Sequence, residues 1–212
     1  MRAIGFGLGL ATLLAGFAAD SATITASEAY YTFRGTVSAG SATRLLADKA
    51  TAIGFPGQDS ISFVGFERDD LPTGLGAGQK ALLRLEHDPA LASFLFPAEP
   101  GRPTTIRVYA VNDIFDPPGA GNFDVVYGPG GSAAIARTVI GAPGVYSWDV
   151  TALIRDWLAD PSLDTLLALS GIYGNDGPDP RNGYAIFHTV GSSSGLAPEI
   201  AITPLPAALP LL

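Results

Sequence analysis

The chain has 212 residues, 47% of them hydrophobic, no cysteine, and 12 basic against 20 acidic side chains, for a net charge of −8. That length and apolar content suit one sizeable core, and the missing cysteines exclude a disulfide framework and thiolate metal chemistry. The acidic balance, with no basic cluster, argues against nucleic acid as a partner and weighs against acidic polysaccharide.

The chain opens on Arg2 and the apolar run Ala3 to Phe17, which reads as the basic start and hydrophobic core of a signal peptide. The run is shorter than the roughly 20 residues a membrane helix needs. Gly16-Phe17-Ala18 puts small residues at the two positions a signal peptidase reads, so residues 1–18 are expected to be removed. Residues 19–28, small and polar, are expected to form a flexible leader. One domain is expected over residues 29–203, rich in turns because 26 glycines and 17 prolines punctuate recurring apolar runs.

Tyr30 to Val37 is aromatic and β-branched and reads as the first strand. Arg44 to Ile53 fits a strand or a short helical turn equally well. Ser60 to Phe66 is apolar on both faces, as an inner strand is. Leu71 to Gly78 is a glycine-rich turn, Lys80 to Glu86 the next strand, and His87 to Arg102 a proline-rich insertion. Thr104 to Val111 and Ala133 to Ile140 read as strands on either side of the polar loop Asn112 to Gly131.

The stretch Tyr146 to Gly171 organises the rest. Tyr146, Trp148 and Val150 alternate with polar neighbours, the period of a strand. The period then changes, since Val150, Leu153, Ile154, Trp157 and Leu158 fall on one helical stripe. Asp149 or Thr151 is placed to cap that helix, and Asp160-Pro161 to end it. Leu163 to Ser170 resumes as a buried strand, and Trp148 and Trp157 are assigned to the core. After a second polar loop, Tyr173 to Gly183, strands at Tyr184 to Val190 and Glu199 to Thr203 complete the chain. About eight to ten strands and one short helix, at about residues 151–159, fit an all-β fold, a jelly-roll-like antiparallel β-sandwich.

Several of these stretches together resemble one family. W-D-V-T-A-L-I-R-D-W-L followed by L-L-A-L-S-G, the upstream F-V-G-F-E-R-D-D-L-P-T-G-L-G-A-G-Q-K-A-L-L-R-L, then T-I-R-V-Y-A-V-N-D and A-I-F-H-T-V-G-S-S-S-G-L-A-P-E-I-A-I-T are similar to the DNRLRE-type domain. That is a secreted bacterial β-sandwich related to some carbohydrate-binding modules, and the likeness covers residues 60–203. The His87 to Arg102 stretch is an insertion relative to the family pattern. The closing T-P-L-P-A-A-L-P-L-L resembles the start of a VPLPA-type PEP-CTERM sorting signal, of which residues 204–212 hold only the opening. In that family the motif leads into a transmembrane helix and a basic cluster, neither of which is read here. The resemblance implies a secreted or cell-surface protein, in contact with membrane only transiently through its sorting signals. It implies extracellular polysaccharide as partner; a monomer without catalytic function is the expectation. The alternatives are a structural biofilm protein without a specific ligand and a polysaccharide-active enzyme.

No catalytic residue is assigned. His87 and His188 lie beside predicted strands, where a lone histidine is more often a hydrogen-bonded structural residue. Neither a G-x-S-x-G elbow nor an H-E-x-x-H helix is read. Asp69-Asp70 reads as a solvated turn. The loop Gly174 to Gly183 carries Asn175, Asp176, Asp179 and Asn182, oxygen donors of the kind calcium takes. Its spacing is not that of an EF-hand, and the same residue types form ordinary turns; calcium site and plain turn both stand. Asp113 and Asp116, with Asn112 and Asp124, pose the same choice, and no other cofactor is suggested. For a sugar, the candidates are rings that stack on pyranose faces beside these loops: Tyr173 and Tyr184 at one, Tyr109 and Tyr127 at the other, with Arg181 as a hydrogen-bond donor.

Overall fold

The strand Lys80–His87 buries every second side chain, Ala81, Leu83, Leu85 and His87, the expected result of a period of two on a sheet with one face in the core. It is the spine of one of two antiparallel sheets in a computed structural model that describes residues 21–33, 36–38, 44–47, 60–91, 97–111, 134–170 and 184–203. Numbered in chain order among the described residues, the first sheet runs β1 (Ala22–Thr25), β12 (Glu199–Thr203), β6 (Lys80–His87), β11 (Ala185–Phe187), β4 (Leu45–Ala47), with β9 (Gly144–Asp149) also paired to β6. The second runs β3 (Thr36–Ser38), β2 (Glu28–Phe33), β5 (Ser60–Gly65), β10 (Leu166–Ser170), β7 (Thr104–Ala110), β8 (Ala136–Ile140). The fold is an all-β sandwich with one α-helix, α1 (Thr151–Ala159), among the described residues.

The core lies between the sheets. Leu83, Leu85 and Trp148 of the first face Val64, Ile106, Val108, Leu167 and Leu169 of the second, and α1 adds Leu153, Ile154 and Trp157. Each such side chain taken fully out of water contributes on the order of 1.5–3 kcal/mol. Trp148 and Trp157 are each 1% exposed, as their stripes predicted. The indole of Trp148 also donates to the Ile106 carbonyl at 3.1 Å, a hydrogen bond between the two sheets that satisfies its one polar atom.

Several sequence expectations are corrected. The leader expected over residues 19–28 contains strand β1, in which Ile24 is buried between exposed threonines and each residue pairs with β12, from Ala22 opposite Ile202 to Thr25 opposite Glu199. Small residues hid a strand that needs only one apolar anchor. The single strand expected over Tyr30 to Val37 is two, β2 and β3, folded back so that Phe33 faces Thr36. The open choice at residues 44–53 resolves for Leu45–Ala47 as strand β4. Ser60–Gly65 is an inner strand, held between β2 and β10.

The helix ends show how local sequence is used. Val150 is the N-cap and makes no side-chain cap; Asp149, one residue earlier, accepts from the Thr151 amide at 3.1 Å and from its hydroxyl at 2.6 Å. That hydroxyl hydrogen bond, ahead of the Thr151 amide and Lys80, holds the Asp149 carboxyl below its usual range. At the other end Arg68 donates to the carbonyls of Trp157, at 2.7 Å, and of Leu163. A cation on the last carbonyls of a helix also opposes its dipole. Arg68 comes from a single-turn 3-10 helix, Arg68–Asp70, so the E-R-D-D-L-P turn and the W-D-V-T-A-L-I-R-D-W-L stretch are joined by one side chain.

Candidate functional site

The second sheet carries an unusual outer face. On the strands β2, β5, β10 and β7 the residues Tyr30, Phe63, Ala168 and Tyr109 pair in one continuous row. They alternate with Val64, Leu167 and Val108, which enter the core, so the row lies on the face turned away from the first sheet. Tyr30 stacks on Phe63 with ring centroids 5.1 Å apart. Burial first, then the charges of Glu28 and Asp164, push the Tyr30 phenol well above its usual range, so it stays a neutral hydrogen-bonding group. The flanking row brings Arg107 of β7 opposite Arg137 of β8. Arg107 is buried there at 8% exposure, whereas Arg137 on the neighbouring strand is exposed.

Of the rings expected to stack on sugar, Tyr109 belongs to this row at 2% exposure and presents no free face. It reads from sequence as a loop-flanking ring; its register with Ala168 packs it instead. Tyr184 is half-buried just before β11, and its carbonyl accepts from the Ala98 amide at 2.8 Å. Tyr127, Tyr173, Arg181 and the calcium candidates Asn175, Asp176, Asp179, Asn182, Asp113 and Asp116 lie outside the described residues. Among the described residues no three acidic or histidine side chains gather as a metal site, and no helix is long and apolar enough to cross a membrane.

The chemistry-bearing side chains that the fold does gather lie where β6 meets β11. His87 faces Phe187 in register, and His188 follows it. The His87 ring is 1% exposed and spends both nitrogens on main chain. Nε2 donates to the Ala98 carbonyl at 3.1 Å, which in the neutral ring leaves Nδ1 to accept from the Ile186 amide at 3.1 Å. Phe187 and Tyr146 meet the ring edge-on. This histidine is a structural brace, as sequence reasoning expected of a lone strand histidine.

His188, 2% exposed, is placed otherwise. Its Nδ1 is 2.9 Å from the Ser192 hydroxyl, and its Nε2 is 3.5 Å from Oδ2 of Asp88. Asp88 is held by its own Oδ1, which accepts from the Ala90 amide at 2.9 Å. Ser192 sits at the end of a turn closed by its amide on the Thr189 carbonyl at 3.1 Å. Gly191 in that turn has φ of +79°, the value a type II turn requires at its third position. A Cβ at Gly195 would collide with the His188 ring, so glycine lets the loop lie against the imidazole. Glu86 fixes the loop beyond it, its Oε2 accepting from the Leu196 amide at 2.6 Å.

Sequence reasoning passed over this group. Gly191-Ser192-Ser193-Ser194-Gly195 does satisfy the letters of G-x-S-x-G, but the chain runs on into β12 with no helix after the serines, so the elbow that gives that motif its mechanism is missing. Asp88 stands 100 positions before His188, and only the pairing of β6 with β11 brings them together. The signal available was the serine four residues after a strand histidine. Compared with known proteins, the chain matches no protein-family model and no curated protein.

Proposed function

We propose that this protein is an exported β-sandwich that associates with extracellular polysaccharide. The observation that carries the reading is the junction made by Arg68. The two stretches that most resemble the DNRLRE-type domain lie far apart in sequence, at residues 63–85 and 148–171. Their contact through Arg68 and the carbonyls of Trp157 and Leu163 gives both a shared structural reason to exist. Fold analogy alone does not assign function, so the reading rests on its test. The polar loop at residues 174–183, with Tyr184 beside it, is the expected contact.

The test is a glycan array, neutral and acidic, probed with the full chain in calcium and again with a chelator. Binding to a defined glycan that survives chelation supports the reading without the metal, and binding lost on chelation supports it with calcium in the Asp-rich loops. Silence on every glycan overturns it in favour of a structural matrix protein without a ligand.

A further inference from the structure

We propose that Ser192, His188 and Asp88 form a nucleophile, base and carboxylate relay, and that Ser192 accepts the acyl group of small carboxylic esters. Serine is a weak nucleophile until a base takes its proton, and the geometric signature of activation is a base in hydrogen-bond reach, itself oriented by a third group. Both parts are present: the hydroxyl is 2.9 Å from Nδ1, and Asp88 stands 3.5 Å from the far nitrogen. With its hydrogen on Nε2, facing the carboxylate, the ring leaves Nδ1 free to accept the serine proton. The two nitrogens exchange the roles they hold in the Ser-His-Asp template, which is defined by geometry and role rather than by position in sequence.

His87 supplies the internal contrast. It is equally buried, yet its nitrogens are satisfied by main chain. Those of His188 meet two side chains that reach solvent, a half-buried serine and a carboxylate whose side chain is 33% exposed. A ring needed for packing alone has no use for that pair.

In the reaction Ser192 Oγ attacks the ester carbonyl carbon while its proton passes to Nδ1. The Ser193 amide, which follows the nucleophile and makes no backbone hydrogen bond among the described residues, is the donor for the developing oxyanion. Collapse breaks the bond to the leaving alkoxide, which takes the proton from Nδ1. Water then attacks the acyl-serine, gives a proton to Nδ1, and the acid departs as Ser192 regains it. The residues after the nucleophile are Ser193, Ser194 and Gly195, which offer no apolar surface for a long acyl chain; hence the small ester.

The test treats the full chain with a fluorophosphonate probe and with p-nitrophenyl acetate, and locates adducts by peptide mass. A single adduct on Ser192 is expected, together with ester turnover that Ser192→Ala abolishes. His188→Gln lowers the labelling rate tenfold or more; Asp88→Asn lowers it, and Asp88→Glu recovers part, which a structural role alone would not. Ser162→Ala, at an exposed serine whose partner is Asp160, leaves it unchanged. Thermal melts of every variant confirm folding. Labels spread evenly over Ser192, Ser193 and Ser194, equal labelling of Ser192→Ala, or no adduct on the folded parent chain overturns the proposal. Glycan binding by Ser192→Ala stays at the parent level, so this proposal and the polysaccharide reading fail separately.

Discussion

His87 ends β6 and His188 directly follows its neighbour β11, and they are 1% and 2% exposed, yet they belong to different parts of the protein's chemistry. Burial does not separate them; their partners do. His87 reaches the Ile186 amide, 99 residues along the chain, and the Ala98 carbonyl, so it ties together main-chain segments that nothing local would hold. His188 turns to a serine four residues on and to a carboxylate at the end of the neighbouring strand. A polar side chain spent on distant main chain is part of the fold. One spent on other side chains is available for something else.

The contrast is sharpest in stability. His87→Ala leaves the Ala98 carbonyl and the Ile186 amide without their partner and opens a cavity beside Phe187 and Tyr146. Each buried orphan costs about 1–3 kcal/mol, so a loss of about 3 kcal/mol is expected in urea unfolding. A loss below about 1 kcal/mol would erase the distinction drawn between the two rings. Arg68→Met is next, at about 2 kcal/mol, because it removes a charged donor from two carbonyls while keeping the aliphatic stem. If Arg68→Met melted like the parent, the junction between the two resembling stretches would be incidental. His188→Gln is expected to cost about 1 kcal/mol, since the Ser192 hydroxyl and the Asp88 carboxylate both regain water. A cost as large as that of His87→Ala would move His188 into the structural class.

The same division explains what could be read in advance. The alternation in Lys80 to Glu86 and Thr104 to Val111 and the helical stripe through Trp157 are local patterns, and they appear where the periods place them. The interior position of β5 followed from apolar residues on both faces, because Phe63 faces a second cluster while Val64 faces the core. Legibility ended where partners are distant. Nothing near Arg68 announces Trp157 and Leu163, and nothing near Tyr109 announces that Ala168 and Phe63 continue its row. Strand β1 was missed for another reason: only Ile24 among its residues is apolar enough to register, and its pairing with β12 lies at the far end of the chain.

The smallest expected effect probes a local interaction outright. Asp149 accepts the amide and hydroxyl of Thr151, two positions on, and also meets Lys80 at 3.1 Å. These hydrogen bonds favour its charged form, with Thr151 the leading cause, and lower its pKa in the folded chain below the ordinary 3.8. A carboxyl depressed on folding stabilises above its unfolded value and loses that stability as pH falls through the folded one. The contribution is therefore whole at neutral pH and fades below about pH 4, and its size is reduced by the solvent around a side chain that is 47% exposed. Asp149→Asn should melt slightly below the parent at pH 7, by less than about 1 kcal/mol, and that gap should be narrower at pH 3. Thermal unfolding at the two pH values measures it. A gap that persists unchanged at pH 3 would show that the carboxylate charge is not what holds the start of α1, and that the hydrogen-bonding shape of residue 149 suffices.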